Sequence, residues 1–367
     1  MKHWTRIFQP RSARDDAYVV LAAALGLVAF GLICLYSLGE HLLVRQALCA
    51  AFAVLCCMAV IRVPSETLQK AAVPLVVLTG ALLLGCLLFA TPVANTKRWF
   101  PVPFLGRFQP SELAKLAIVI FLAHRLSLTR GRIENPVQLS WPVWLLCLLV
   151  LPAPDFGTTI FLATVAGTMM LIAGVRVGRL LGISFVAAPL LFLVASRFPY
   201  IQERLRFFHG EKSYQQLQAE IALGSGGLFG SGLGAGWQKH HYLPAGHTDF
   251  ILANIGEELG FLGVCIIIAL FLLILIHGVR VALAAARKNR FGFHLAAGAT
   301  FVIVFQALLN IAVATGAAPT KGISLPFLSQ GGSNMVISLL AVGLIVNVGR
   351  NLESSPGGLA GTEFAQA

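Results

Sequence analysis

Long apolar runs separated by short polar breaks dominate the chain. Ten runs stand out, at about 17–38, 42–62, 71–92, 111–126, 138–154, 157–175, 179–198, 250–278, 293–316 and 333–349. A helix needs roughly 20 mostly apolar residues to cross the hydrocarbon core of a bilayer. The runs 111–126 and 138–154 fit least well, because Lys115, His124 and Pro142 interrupt them. The pattern predicts an all-α, polytopic membrane protein with about ten transmembrane helices. Residues 1–16 are expected as a cytoplasmic segment, 17–350 as one membrane domain, and 351–367 as a cytoplasmic tail. Two connections are long, 93–110 and 199–249. The second is too long for a plain linker and is expected as one large exterior loop. Its first part, from Ile201 to Leu223, has helical propensity and an amphipathic look.

Composition agrees with this picture. The chain is 57% hydrophobic and 11% charged, whereas a soluble domain carries about a quarter charged residues. The seven cysteines all lie in or against apolar runs, with neither disulfide nor metal spacing. The polar N-terminus leads into a run long enough to remain as a span, so no cleaved signal peptide is expected.

Lysine and arginine set the orientation. With the N-terminus inside and ten alternating spans, most of the 27 fall on the cytoplasmic side, so both termini are expected there. The net charge of +12 then reports topology and adhesion to anionic lipid and calls for no nucleic acid. The opposite face nevertheless keeps Lys97, Arg98, Arg107, Arg197, Arg204, Arg206, Lys212, Lys239 and Lys321. Cations that defy the inside bias point to an anionic substrate at the outer surface, although solvated loop charge accounts for any one of them.

The carboxylates are sharper. Asp249, Glu257 and Glu258 sit at the mouth of an apolar run, where an unpaired charge is costly. In KRWFPVPFLGRFQPSELAK, Ser111 suits a helix N-cap after Pro110, Glu112 suits the first turn, and Lys115 follows it at i+3. Capping and a local ion pair explain Ser111 and Glu112, but not a lysine inside a span. In PDFGTT, capping is the default role of Asp155 and Thr158. Pro319, Gly322 and Pro326 brace a turn that could aim Lys321 at phosphate. The glycine run GSGGLFGSGLGAGW lacks the strand–helix context of a dinucleotide site, so its glycines serve tight turns or close approach. His240, His241 and His247 match no metal spacing.

Taken together, FQPSELAK, PDFGTT, GSGGLFGSGLGAGWQKHHYLPAGHTDFILANIGEELGFLG and NIAVATGAAPTKGISLPFLSQGGSN resemble the SEDS family of FtsW, RodA and SpoVE. The resemblance spans essentially the whole chain in order, and PTKG with KRWF is more similar to the FtsW and SpoVE forms than to RodA. The family usually has Glu–Ala before HTDF and Tyr in LSYGGSS, where Ala245, Gly246, Gln330 and Asn334 stand here. The resemblance implies a peptidoglycan glycosyltransferase that polymerises lipid II at the outer face of the cytoplasmic membrane, at the division septum, with Asp249 as the essential acid. It implies substrate contacts from Lys97, Arg98, Gln109, Ser111, Glu112, Lys115, His247, Thr248, Thr320, Lys321, Gly322, Ser329, Gly331, Gly332 and Ser333, with Glu257, Glu258 and Asp155 organising the site. No organic cofactor is expected; a divalent cation, magnesium or manganese, is compatible. A class B penicillin-binding protein and other division-complex membrane proteins are the implied partners. The small residues of the ninth run, Ala299 and Ala307 among them, offer that partner's helix a docking face, or else pack this chain's own helices.

The chemistry suits these residues on its own terms. An α-linked donor and a β-linked product need one inverting displacement, hence one general base and cations for the departing pyrophosphate. A lipid-linked-precursor transporter and a non-catalytic division scaffold stay open as alternatives at this level.

Overall fold

The computed structural model describes residues 12–92, 97–102, 106–129, 133, 135–152, 155–197, 202, 210, 213–236, 246, 248–320 and 322–353. Every predicted apolar run lies on a helix: α1 Ala13–Leu38, α2 Glu40–Ile61, α3 Ser65–Phe89, α4 Pro110–Leu128, α5 Pro136–Val150, α6 Phe156–Ile172, α7 Val177–Ala195, α9 Ile251–Ala285, α10 Arg290–Ala314 and α11 Gly332–Glu353. Helices α1, α2, α3, α9, α10 and α11 are long and apolar enough to cross a membrane, while α5, α6 and α7 are shorter apolar helices. The three charges of α4, Glu112, Lys115 and Arg125, keep it out of the first set.

The long connections hold two further elements, a hairpin that was not anticipated and a helix in the stretch read as having helical propensity. A short antiparallel hairpin, β1 Phe100–Val102 with β2 Gly106–Phe108, stands in the 93–110 connection. Within the large loop, α8 runs from Tyr214 to Ser225 and is capped by Ser213. Its Ala219 and Ala222 pack on Phe250, Ala253 and Val313, and Tyr214, Leu217 and Ile221 face out.

Burial explains where charge is tolerated. Helix α4 is buried nearly all round and packs against α3, α10 and α6. Helix α11 is buried along most of its length. By contrast, α7 leans on α6 and leaves Leu181, Phe185 and Val186 exposed. The ninth run's small residues turn inward, Ala299 at 0% and Ala307 at 1% exposure. They pack this chain's own helices and cannot form the outward docking face that was one expectation.

Helices α1 and α9 run antiparallel and are locked by polar contacts at both ends. The Ser37 hydroxyl donates to Glu258 Oε2 at 2.8 Å. At the other end His277 Nδ1 lies 2.6 Å from Asp16 Oδ1, and Arg280 lies 3.6 Å from the same oxygen. At 1.5 Å per residue, the stretch of α1 between Asp16 and Ser37 is about 30 Å, the thickness of a hydrocarbon core. Asp16 is therefore a buried helical residue. The polar N-terminal segment ends earlier than the expected residue 16, because Ser12 caps a helix that starts at Ala13.

Helix α9 is broken once. Gly260 adopts φ 66°, ψ −165°, so the i→i−4 ladder fails there. The glycine run repairs it. Phe261 N and Leu262 N donate to Gly227 O and Leu228 O, at 2.9 and 3.2 Å. The carbonyls they would have used, Glu257 O and Glu258 O, accept from Ser231 N and Gly232 N, at 2.9 and 3.0 Å. Irregular backbone is admissible at membrane depth only when satisfied in this way. The glycines of the run thus serve close approach to the chain's own helix. A Cβ on Gly226 would lie 1.9 Å from Gly256 O, although its φ of −71° suits any residue. Gly226→Ala should cost about 1–3 kcal/mol by overpacking. Gly224→Ala, with nothing within 4 Å of the added carbon, should leave the thermal unfolding of detergent-purified protein unchanged.

Candidate active site

Asp249 opens into a cavity of about 590 Å³ at the end of the bundle where α2, α4, α9 and α11 begin. Thr248, Gly322, Ser324 and the stretch 330–334 share its wall. Three arginines line it as well: Arg45 from α2, Arg98 from the segment just before the hairpin, and Arg107 from β2. Glu112, from the first turn of α4, completes the charged lining. Helix N-termini carry partial positive charge, and the first turns of α4 and α11 border this space. Arginines and helix ends together make it a place for an anion.

Asp249 is set by its backbone. Asn310 Nδ2 donates to Asp249 O and to Ile323 O, both at 2.7 Å. Ser329 Oγ donates to Thr248 O at 2.6 Å and accepts from Leu325 N at 2.8 Å. Asn254 Nδ2 donates to Gly246 O at 3.0 Å. Gln46 of α2 joins in, donating to Ser329 O at 3.1 Å and accepting from Gly331 N at 3.2 Å. The turn carrying Asp249 is therefore tied to α9, α10, α2 and the segment before α11. Gly322 keeps a φ of +63°, and a Cβ there would lie 3.6 Å from Asp249 Oδ2. Phe327, at φ 67°, is the one non-glycine residue with positive φ among the described residues, held by burial and by stacking on Phe271. Such a conformation costs on the order of 1 kcal/mol and persists only where packing over-determines it.

Lys115 does not reach the cavity wall. Its Nζ lies 2.7 Å from Glu112 Oε1, 2.7 Å from Gln306 Oε1, and 5.1 Å from the centre of the Phe161 ring. Gln306 passes the network on, donating to Ser324 O and Asn334 Oδ1, each at 2.8 Å. Asn334, where the family usually has serine, is thus an acceptor that a serine could not place identically. Glu112 Oε2 is buried and has no hydrogen-bond partner among the described residues.

The remaining sequence-predicted residues divide clearly. Gly331, Gly332 and Ser333 line the cavity with Arg98, Gln109, Glu112, Thr248, Asp249 and Gly322. Ser329 acts behind it. Ser111 is not the N-cap of α4: the helix starts at Pro110, Gln109 takes the cap position, and Ser111 instead accepts from Gln109 Nε2 at 2.9 Å. The same Gln109 nitrogen donates to Asp155 Oδ2 at 3.1 Å, and Asp155 caps α6 through Thr158 N. Lys97 and Ser111 border a small neighbouring pocket beside Asp155. Thr320 is outside the cavity lining. Glu258 holds α1 through Ser37, and the Glu257 carboxylate lies against Gly236. His247 and Lys321 lie outside the described residues.

Arg45, Gln46 and Asn310 were missed as site residues, and Arg107 was singled out only as one of the outer-face cations. Gly106 is the one visible signal for Arg45: at φ +80°, a Cβ there would stand 1.6 Å from Arg45 Nη2, so the guanidinium fills the space the glycine leaves.

Fold and site define a multi-pass helical membrane protein with an acid-and-arginine chamber at one end of its bundle. The chain belongs to the FtsW/RodA/SpoVE family, whose model, described as "Cell cycle protein", matches residues 17–354. A relative from Trichlorobacter lovleyi, named "Probable peptidoglycan glycosyltransferase FtsW", is 36% identical over 92% of this chain and 94% of its own. One of the same name from Geobacter sp. is 37% identical over 92% of this chain and 97% of its own. Among solved structures, a chain from "Structural coordination of polymerization and crosslinking by a peptidoglycan synthase complex" matches with TM-score 0.76 and 26% identity, over 91% of this chain and 98% of that one. Thermus thermophilus RodA, a rod-shape-determining protein, matches with TM-score 0.68 and 27% identity, over 90% and 96%.

Proposed function

We infer that this chain is a peptidoglycan glycosyltransferase of the division type, polymerising lipid II at the outer face of the cytoplasmic membrane. One observation carries the reading: a carboxylate at a helix start shares a single chamber with Arg45, Arg98 and Arg107. The names of the relatives support the activity and its division role. Both termini lie in the cytoplasm in this reading, and the chamber opens outward.

The Asp249 carboxylate takes the proton of the acceptor sugar's hydroxyl as that oxygen attacks the donor's anomeric carbon. The bond from that carbon to pyrophosphate breaks with inversion, from α to β, and undecaprenyl pyrophosphate leaves. The leaving group needs no protonation, only positive charge, which the arginines and helix ends supply. No group of three or more His, Cys, Asp or Glu that could cage a metal occurs among the described residues. Magnesium, however, commonly uses one or two carboxylates and substrate phosphate. Asp249 and the partnerless Glu112 Oε2 would suit it, and a bound ion would neutralise pyrophosphate charge.

Purified protein supplied with lipid II tests the reading. Arg45→Ala, Arg98→Ala and Arg107→Ala should each lose about 1.5–3 kcal/mol of transition-state binding, roughly ten- to hundredfold in kcat/KM. Lys321→Ala belongs to the same series. Unchanged kinetics in all four across a lipid II titration would return these cations to ordinary surface charge. The described structure relative joins polymerisation to crosslinking; for this chain we propose a class B penicillin-binding protein as the crosslinking partner, at the septum.

A further inference from the structure

The glycine run that repairs α9 also shows a face that the glycosyltransferase chemistry does not use. Leu228, Phe229 and Leu233 are 64%, 77% and 55% exposed, on a segment whose backbone is bonded into a helix break. In water such a tip would be a costly surface for a short connection. Its position along the bilayer normal gives the reason. Arg280, half-exposed, is the first cation after the apolar stretch of α9. Twenty residues separate it from Gly260, and at 1.5 Å each they span about 30 Å, the hydrocarbon thickness. The break therefore falls at the opposite boundary of the core. Phe261 and Leu262, 60% and 48% exposed, start the lipid-facing side of α9 at that boundary. Leu228 is joined to Leu262 by a backbone hydrogen bond of 3.2 Å, so the tip continues the stripe that lipid already covers.

We propose that residues 226–235 form a membrane-seated hairpin. In this arrangement Leu228, Phe229 and Leu233 lie in the acyl–headgroup boundary of the leaflet on the Asp249 side, and lipid is their partner. The hairpin has two anchors, hydrogen bonds into α9 and apolar side chains in lipid, and it fixes the end of the large loop just before the stretch that leads to Asp249. The wedge resembles an interfacial helix in its energetics, burying apolar side chains a few ångströms deep while its backbone stays satisfied. The hairpin takes this place in the leaflet whichever face of the membrane the chamber occupies.

The full-length protein in nanodiscs of phosphatidylethanolamine and phosphatidylglycerol provides the test. A fluorescent amino acid is placed at 229 or at 233, with position 266 on the lipid face of α9 and position 287 beyond its end as references. Lipid brominated near the headgroup end of its acyl chains should quench 229 and 233 about as strongly as 266, and aqueous iodide should quench only 287. Iodide quenching at 229 and 233 without quenching by brominated lipid would overturn the proposal in favour of a water-exposed loop. Quenching by neither agent would overturn it in favour of a tip covered by protein. Using two label positions guards against one substitution disturbing the fold, and correct folding is checked by the unchanged signal at 266.

Discussion

Asp249→Asn should abolish glycan synthesis from lipid II while leaving the protein folded. Asparagine matches aspartate in shape but cannot accept a proton at neutral pH. The loss of a positioned general base costs on the order of 10²–10⁴ in rate. The turn is placed through its backbone: Asn310 and Ser329 bind the backbone carbonyls of residues 249 and 248. Thermal stability in detergent should therefore match the parent, and polymer on a gel should vanish. Near-normal polymer from the asparagine variant would remove Asp249 from the role of base. Loss of both polymer and stability would make it a structural residue.

The second large effect lies in the core. Lys115→Met removes the cation that Glu112 and Gln306 hold at 2.7 Å each. Breaking a buried ion pair from one side costs about 3–5 kcal/mol, because the surviving charge stays in a low-dielectric site. Here Glu112 already has one partnerless oxygen, so little is left to absorb the change. The double change Lys115→Met with Glu112→Gln should recover most of the lost thermal stability, since no bare charge remains. Stability would separate from activity in that double variant, because Glu112 also lines the chamber. A single Lys115→Met protein as stable as the parent would show that the pair contributes nothing net.

The apolar helices were legible because length and hydrophobicity alone define a membrane span, and each predicted run met a helix within a few residues. The hairpin was not, since strands of three residues with Pro101 in the first carry no alternation to read. Asp249 and Gly322 could be singled out because charge or rigid turns next to apolar runs are conspicuous, whereas the 331–333 stretch was reached only through the family resemblance. Arg45 could not, as an arginine near a span end has the ordinary explanation of reaching for the interface. Only the fold brings it beside Gly106. Asn310 and Gln306 were silent for a related reason: a lone amide in a span has no sequence partner, and theirs are carbonyls, a lysine and an asparagine from elsewhere in the chain. Ser111 misled because a serine after proline looks like a cap, while Pro110 itself fits the first helical position.

The spacing of the buried pair sets a timetable for making the protein. Lys115 and Gln306 are 191 residues apart in the chain. At about 5–20 residues per second, roughly 10–40 s of synthesis separate them. Over that interval α4 has to be accommodated with only Glu112 to offset its lysine. The chamber wall is later still, since Gly332, Ser333 and Asn334 follow Gln306. The ribosome must therefore deliver the chain past Asn334 before a reaction chamber exists, and a chain ended between Lys115 and Gln306 leaves its ammonium in the bilayer with Glu112 alone, for the cell's proteases to find.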